Sequence, residues 1–449
     1  MKKRILIAAL TAAMASSIFG VTVNAAEREL NINWLSSRSA SESAILAIQD
    51  IAKQYQEENP DLDFNFEIEN ISDRTAYLQK LKILAASDEL PEWFDSDPDT
   101  WFADIVADGK AYSFEDLYKE LGMYDQIFPI SKEYARLSDG SLNLMTLQCN
   151  TEYFFYNKDL FEQAGITETP KTFDELLADC KLLQDQEIIP IAMGGDWPIL
   201  RYFAQVPFRL TGNEYIENAV SGEGSFGEEA GLKGAQFIQD IAQYFQEGWS
   251  SADYDTMIDL FASGQAAIMY NGTWALDQAD MIGEDENIKD NIGYFTMPTY
   301  SDADVTTATD FFANSGIGTA IRTDAVDDEM KAWMKYLLEH YADASLSYNQ
   351  LPSVMPDEET MQSLPKVYQQ IIEDVSNVKE YAKCWDVVID SALVEPLEKE
   401  TVILALGQET PEEWAANMDE YVKNQKKTEK QHSGLLKIKS PGYQKGRQI

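Results

Sequence analysis

The stretch PEWFDSDPDTWF, residues 91–102, sets carboxylates at alternate positions, Asp95, Asp97 and Asp99, between the aromatic pairs Trp93–Phe94 and Trp101–Phe102. Three chemistries fit those residue types: a calcium loop, the acid pair of a hydrolase, and the polar rim of a pocket for a neutral polyhydroxylated ligand. A calcium loop of the Asp-x-Asp-x-Asp kind needs glycine at its sixth position and glutamate at its twelfth. Thr100 and Val106 stand there, so the EF-hand is excluded. A hydrolase needs two carboxyl groups at a set separation, which the sequence does not give, and it stays open as the alternative.

Other catalytic constellations are thinner. His340 and His432 are the only histidines, which argues against histidine metal sites and Ser-His-Asp triads. Gly222, Gly224 and Gly227 match GxGxxG, but they follow a helical stretch, and Glu223, Glu228 and Glu229 would repel a pyrophosphate. Cys149, Cys180 and Cys384 are far apart with no CxxC, so neither a zinc knuckle nor a disulfide framework is expected. No cofactor and no metal is expected.

The net charge of −42 over 449 residues opposes nucleic acid or anionic membrane as partner, since both select a basic face. MKKR, then an apolar run short of a membrane span, then Val23-Asn24-Ala25, reads as a secretory signal over residues 1–25. The chain is therefore expected to be exported, periplasmic or cell-surface associated, with no lipobox cysteine at the cleavage site. Residues 423–449 are basic and weakly periodic, expected as a disordered tail with the polyanionic cell wall as a candidate partner.

The elements that must position these residues alternate. ELNINWLSS and DLDFNFEIEN read as strands. SASESAILAIQDIAKQYQEENP reads as a helix opened by a Ser39–Glu42 capping box, with Ile45, Ile48, Ala52 and Tyr55 on its apolar face. A second helix carries Tyr77, Leu81 and Leu84. Further on, Gly165 suits a helix C-cap, Thr172–Glu175 forms a capping box, and Thr410, Pro411 and Glu413 open a late helix with Trp414, Met418 and Tyr421 inward. Strand and helix in alternation give α/β layers, and the length calls for about two domains.

Residues 153–193, YFFYNKDLFEQAGITETPKTFDELLADCKLLQDQEIIPIAM, resemble the signature of the family 1 extracellular solute-binding proteins, the maltose-binding-protein-like components of carbohydrate ABC importers. QEENPDLDFNFE, LQKLKILAASDELPEWF, FASGQAAIMYNGTWAL, GYFTMPT, ANSGIGTAI and AWMKYLLEHY extend the resemblance in the family's order. It implies a two-lobed periplasmic-binding-protein-like fold (type II), each lobe a Rossmann-like sheet flanked by helices, closing by a hinge on its ligand. The implied partition is 26–145 plus 311–360 for the N-terminal lobe and 146–310 plus 361–422 for the C-terminal lobe. Crossings fall near Leu144–Phe154, Met297–Phe311 and residues 355–370. The implied function is capture of a sugar or oligosaccharide by a non-catalytic monomer and delivery to the permease of an ABC importer. A secreted glycoside hydrolase, and a binder of peptides or polyamines, are the competing classes.

By motif order the resemblance places ligand contacts at Asp196 and Trp197 in GGDWPILRYF, Trp274 in MYNGTWAL, Asp97 and Asp99 in FDSDPDTW, Ser37 and Arg38 after the first strand, and Trp385 in KCWDVVIDS. Sugars present hydroxyls and apolar C–H faces, so flat rings with polar partners suit them. Trp34, Trp249, Trp333 and Trp414 are read instead as core.

Overall fold

The structure, a computed structural model, describes residues 28–277, 291–364, 366–378, 381–385, 389 and 391–438. The expected signal segment and residues 439–449 of the tail lie outside the described residues.

Two sheets organise the chain. The first runs β2–β1–β3–β9, from β1 (Arg28–Ser36), β2 (Leu62–Asn70), β3 (Trp93–Ser96) and β9 (Gly318–Ile321). β1 pairs in parallel with β2 and β3, while β9 returns antiparallel along β3, setting Asp95 opposite Thr319. The second sheet runs β10–β8–β4–β6–β5, from β4 (Asn150–Asn157), β5 (Ile189–Ala192), β6 (Ala266–Gly272), β8 (Phe311–Asn314) and β10 (Tyr381–Lys383). β7 (Ile292–Phe295) pairs with β4 off that path. Helices cover both sheets, and each sheet has its own apolar core.

Local sequence explains the helices. Ile45, Ile48, Ala52 and Tyr55 are buried along the helix Ser43–Glu58, and Thr172 with Glu175 closes a reciprocal capping box on the helix Phe173–Asp185. Thr410 and Glu413 do the same before the helix Pro411–Ile438. Gly165 takes φ 78°, a left-handed cap that costs a glycine nothing. The box expected at Ser39–Glu42 is absent. That helix begins at Ser43, and Glu42 is its N-cap without a capping side-chain bond.

Three connections join the lobes, and before the first of them Phe128 and Ile130 already bury in the second core. Leu147 lies in the first core and Cys149 in the second, so Gln148 is the crossing residue, within the expected Leu144–Phe154. The second crossing follows β8, between Ala313 and Ala320, later than the expected Met297–Phe311. Phe311 and Phe312 bury in the second core, and β8 pairs with β4 and β10, which draws the start of the 311–360 segment into the C-terminal lobe. The third is interleaved: Leu351 lies in the second core, Val354 in the first and Val367 in the second again, so the chain finally leaves the first lobe after Val354, within the expected 355–370. Isolated bridges Met145–Thr319, Gln148–Pro352 and Ile127–Val354 tie the crossings together. Of the expected disordered tail, residues 423–438 are helical instead: the helix opened at Pro411 continues to Ile438, and Lys, Gln and Glu, which favour helix, dominate residues 423–431. No described helix is long and apolar enough to cross a membrane.

Candidate functional site

Where the crossings meet the second sheet there is a cleft of about 400 Å³ lined by Gln148, Asn150, Trp197, Arg201, Tyr254, Trp274, Asn314 and Gly316. One wall is aromatic. Trp197 and Trp274 meet with ring centroids 5.8 Å apart at 59°, and Tyr254 lies 6.1 Å from Trp197. Trp274 Nε1 donates to the Tyr254 hydroxyl at 3.1 Å, as does Asn271 Nδ2 at 3.1 Å, which fixes the rings from behind. Burial pushes the Tyr254 hydroxyl up to about 12, so it stays protonated and neutral.

Glycines make this corner possible. A Cβ on Gly272 would sit 2.0 Å from the Trp274 ring, and one on Gly195 would sit 2.5 Å from the Ser250 carbonyl oxygen. The loop carrying Trp197 can therefore lie against the segment that leads into Tyr254. Trp197 precedes the helix Pro198–Thr211, and one turn on, Arg201 lays its guanidinium 5.3 Å from the Trp197 ring centre. Arg201 Nε donates to buried Glu152 at 2.8 and 3.1 Å, and the Cys384 thiol reaches the same carboxylate at 3.4 Å.

The rest of the lining is mostly amides at the crossings. Gln148 Nε2 donates to Glu42 at 3.1 Å, Asn150 Nδ2 donates to Gln148 Oε1 at 2.7 Å, and Thr273 Oγ1 donates to Asn150 Oδ1 at 3.1 Å. Asn314 Oδ1 accepts from the Tyr134 hydroxyl at 3.0 Å and from the Gly316 backbone N–H at 2.8 Å. Neutral amides beside these tilted rings can hydrogen-bond hydroxyls without setting a charge against them.

The expected site residues divide. Trp197 and Trp274 meet in the cleft. Asp196 sits beside them, half-buried, its Oδ1 shielded and without a hydrogen-bond partner, its carboxyl raised mainly by burial. Trp385 is not there: it is 2 % exposed and packs on Phe203, Tyr215 and Phe226 in the second core. Arg38 is 5 % exposed and serves the first lobe, ion-paired to Asp95 at 2.8 Å and donating to the Ile317 carbonyl. Ser37 gives its backbone N–H to Asp95 at 2.9 Å. Asp97 is paired with Arg74, and exposed Asp99 caps the helix Thr100–Ala107 by accepting from the Phe102 N–H at 2.8 Å. Of the three alternating acids, Asp95 alone is fully buried, and it also accepts from Trp34 Nε1, Ser36 Oγ and Thr319 Oγ1.

Gln148, Asn150, Arg201, Tyr254 and Asn314 were missed. Tyr254 had a signal in the N-cap Asp253 that starts its helix, but the amides sit on strands and crossings with nothing local to mark them. Gly222 is the C-cap of the helix Glu214–Ser221, which disposes of the phosphate-loop match. Among the described residues no group of three or more His, Cys, Asp or Glu side chains could hold a metal ion.

A fold of two α/β lobes crossed three times, with a ring-lined cleft at the crossings, defines a solute-binding architecture, and the sequence agrees. Residues 39–342 match the bacterial extracellular solute-binding protein family, and the chain belongs to it. This is a family of transport proteins that bind a substrate. The chain is 24 % identical over 261 residues to a maltotriose-binding protein of Pyrococcus abyssi, covering 56 % of this chain and 53 % of that one. It is 25 % identical over 163 residues to a multiple sugar-binding protein of Streptococcus mutans, covering 34 % and 37 %. The matched regions thus span about half, or less, of those relatives' length. The solved structure of a family 1 extracellular solute-binding protein from Bifidobacterium longum subsp. infantis shares the fold, with a TM-score of 0.61, 20 % identity, and coverage of 88 % of this chain and 99 % of that one.

Proposed function

We propose that this chain captures a sugar or short oligosaccharide in the cleft between its lobes and delivers it to the permease of an ABC importer. The observation that carries this reading is the corner of Trp197, Tyr254 and Trp274 sharing one cleft with the amides of Gln148, Asn150 and Asn314. A pyranose offers one apolar C–H face to a ring and hydroxyls around its edge to the amides and to Asp196. Covering one such face buries on the order of 80 Å² of apolar surface, or ~2 kcal/mol. Two faces and several hydrogen bonds approach the roughly 8 kcal/mol of micromolar binding.

The sugar-binding relatives support the same ligand class. The protein acts by binding alone, as a monomer, after export directed by residues 1–25. A hydrolase is less well supported, because Glu152, behind the cleft lining, is buried and ion-paired to Arg201. Thermal unfolding across a panel of oligosaccharides, followed by calorimetry and chromatography of the mixture, tests the proposal. A binder should be stabilised by about 2.7 kcal/mol at one hundred times the dissociation constant. Shortened sugars in the mixture would overturn the non-catalytic reading, and stabilisation by cationic ligands alone would overturn the sugar.

A further inference from the structure

One set of polar side chains runs from lobe to lobe without a break. It begins at Arg38, ion-paired to Asp95 in the first lobe and 3.5 Å from Glu42. From Glu42 it passes to Gln148, to Asn150 and to Thr273, and Thr273 is anchored on β4 by its N–H to the Thr151 carbonyl at 2.9 Å. The next residue is Trp274. The direction of every bond is set at one end, because an ionised carboxylate only accepts. Glu42 therefore draws the NH2 of Gln148, which leaves Oε1 for the NH2 of Asn150, which leaves Oδ1 for the Thr273 hydroxyl. Turning either amide would point oxygen at oxygen. Gln148 holds this place at the residue where the chain leaves one core for the other, and a Cβ on Gly316, in the second crossing, would lie 3.5 Å from Gln148 Oε1.

We propose that the Glu42–Gln148–Asn150–Thr273 ladder is an interlobe latch, with Gln148 a positioning residue that sets the angle between the lobes and so the registry of the Trp274 platform with the opposite wall. The inference rests on the two-lobed ligand-closing reading but not on the identity of the ligand. Glu42 carries it from the far lobe: its side chain does not cap its own helix and reaches the crossing instead.

The test reads the lobe angle with no sugar present. Ile83 and Leu182 are exposed, one on each lobe, and the natural cysteines Cys149, Cys180 and Cys384 are buried, so spin labels on Ile83→Cys and Leu182→Cys report the interlobe distance by pulsed electron resonance. Gln148→Leu should shift or broaden the distance distribution. Glu42→Leu should do the same, and the two together should add nothing to either. Gln148→Glu, which sets two carboxylates in contact, should also shift it, and adding Glu42→Gln should restore the parent distribution by reversing the donor and acceptor at that rung. Distributions of the Gln148 variants that coincide with the parent, or a Gln148→Glu shift that Glu42→Gln does not reverse, overturn the latch. If Gln148→Leu does not fold, Glu42→Leu at the half-exposed helix start decides by the same reading. A parent protein that binds no oligosaccharide would defeat the sugar assignment and leave these distances interpretable.

Discussion

Each lobe buries one arginine against one carboxylate near the cleft, and the two pairs are used differently. In the first lobe Asp95 is surrounded by Arg38, Trp34, Ser36, Ser37 and Thr319, all from its own sheet or the loop beside it. In the second, Arg201 holds Glu152 while its guanidinium faces the Trp197 ring and lines the cleft. A carboxylate accepting from five donors fixes a sheet. An arginine shared between a buried acid and an aromatic ring fixes a binding wall. The lobes thus divide the labour, with the stacking surface on the second and rigid polar scaffolding on the first.

Breaking the comparison from the first lobe should give the largest effect. Asp95→Ala strips the closer of two carboxylates from buried Arg38 and leaves four further donors without their acceptor, and should cost about 3–5 kcal/mol of stability in urea unfolding. Loss under 1 kcal/mol would mean that Asp95 is not the scaffold. On the second lobe, Trp274→Ala or Trp197→Ala should leave the fold intact and weaken sugar binding by ~1–3 kcal/mol in calorimetry. A variant that binds like the parent sinks the aromatic wall. Asp99→Ala sharpens the contrast: removing a helix cap should cost about 1 kcal/mol of stability with the sugar affinity unchanged, and a change in affinity would return Asp99 to the site.

The smallest effect concerns pH in the second lobe. Burial and neighbouring Glu400 raise Glu409 from 4.5 to about 7, with Asn417 bridging the two carboxylates. A carboxyl with a raised folded pKa gives stability that is full below its unfolded value and is lost as pH climbs through the folded one. Thermal stability should therefore fall between about pH 4.5 and pH 7, and Glu409→Gln should flatten that slope. An unaltered slope in the variant would assign the dependence to other groups.

Much of the scaffold was legible, because apolar period and capping chemistry are local. The inward face of Ser43–Glu58, the Thr172–Glu175 box and the core tryptophans Trp34, Trp249, Trp333 and Trp414 all follow from neighbours within a turn or two. Trp197 and Trp274 were placed by the order of the family's motifs, and the glycines beside each are what let rings and backbone approach closely there. Trp385 misled, since a ring near the end of the chain looks the same in sequence whether it faces a cleft or Phe203. The alternating acids misled in another way. β3 ends at Ser96, so Asp95 belongs to the sheet, Asp97 to an ion pair and Asp99 to a helix start, and their spacing carries no shared face. The cleft amides depend on which crossing meets which, and that is set by long-range pairing such as Asn150 with Asn314.

That pairing also has a temporal side. The edge of β3 waits for β9, which leaves the ribosome about 225 residues later, roughly 11–45 s at ordinary rates of synthesis. Through that interval the first sheet carries an open edge, and Asp95 lacks the hydroxyl of Thr319. The lobe begun first is thus finished only after most of the other has emerged, and whatever shelters the nascent chain must shelter that edge.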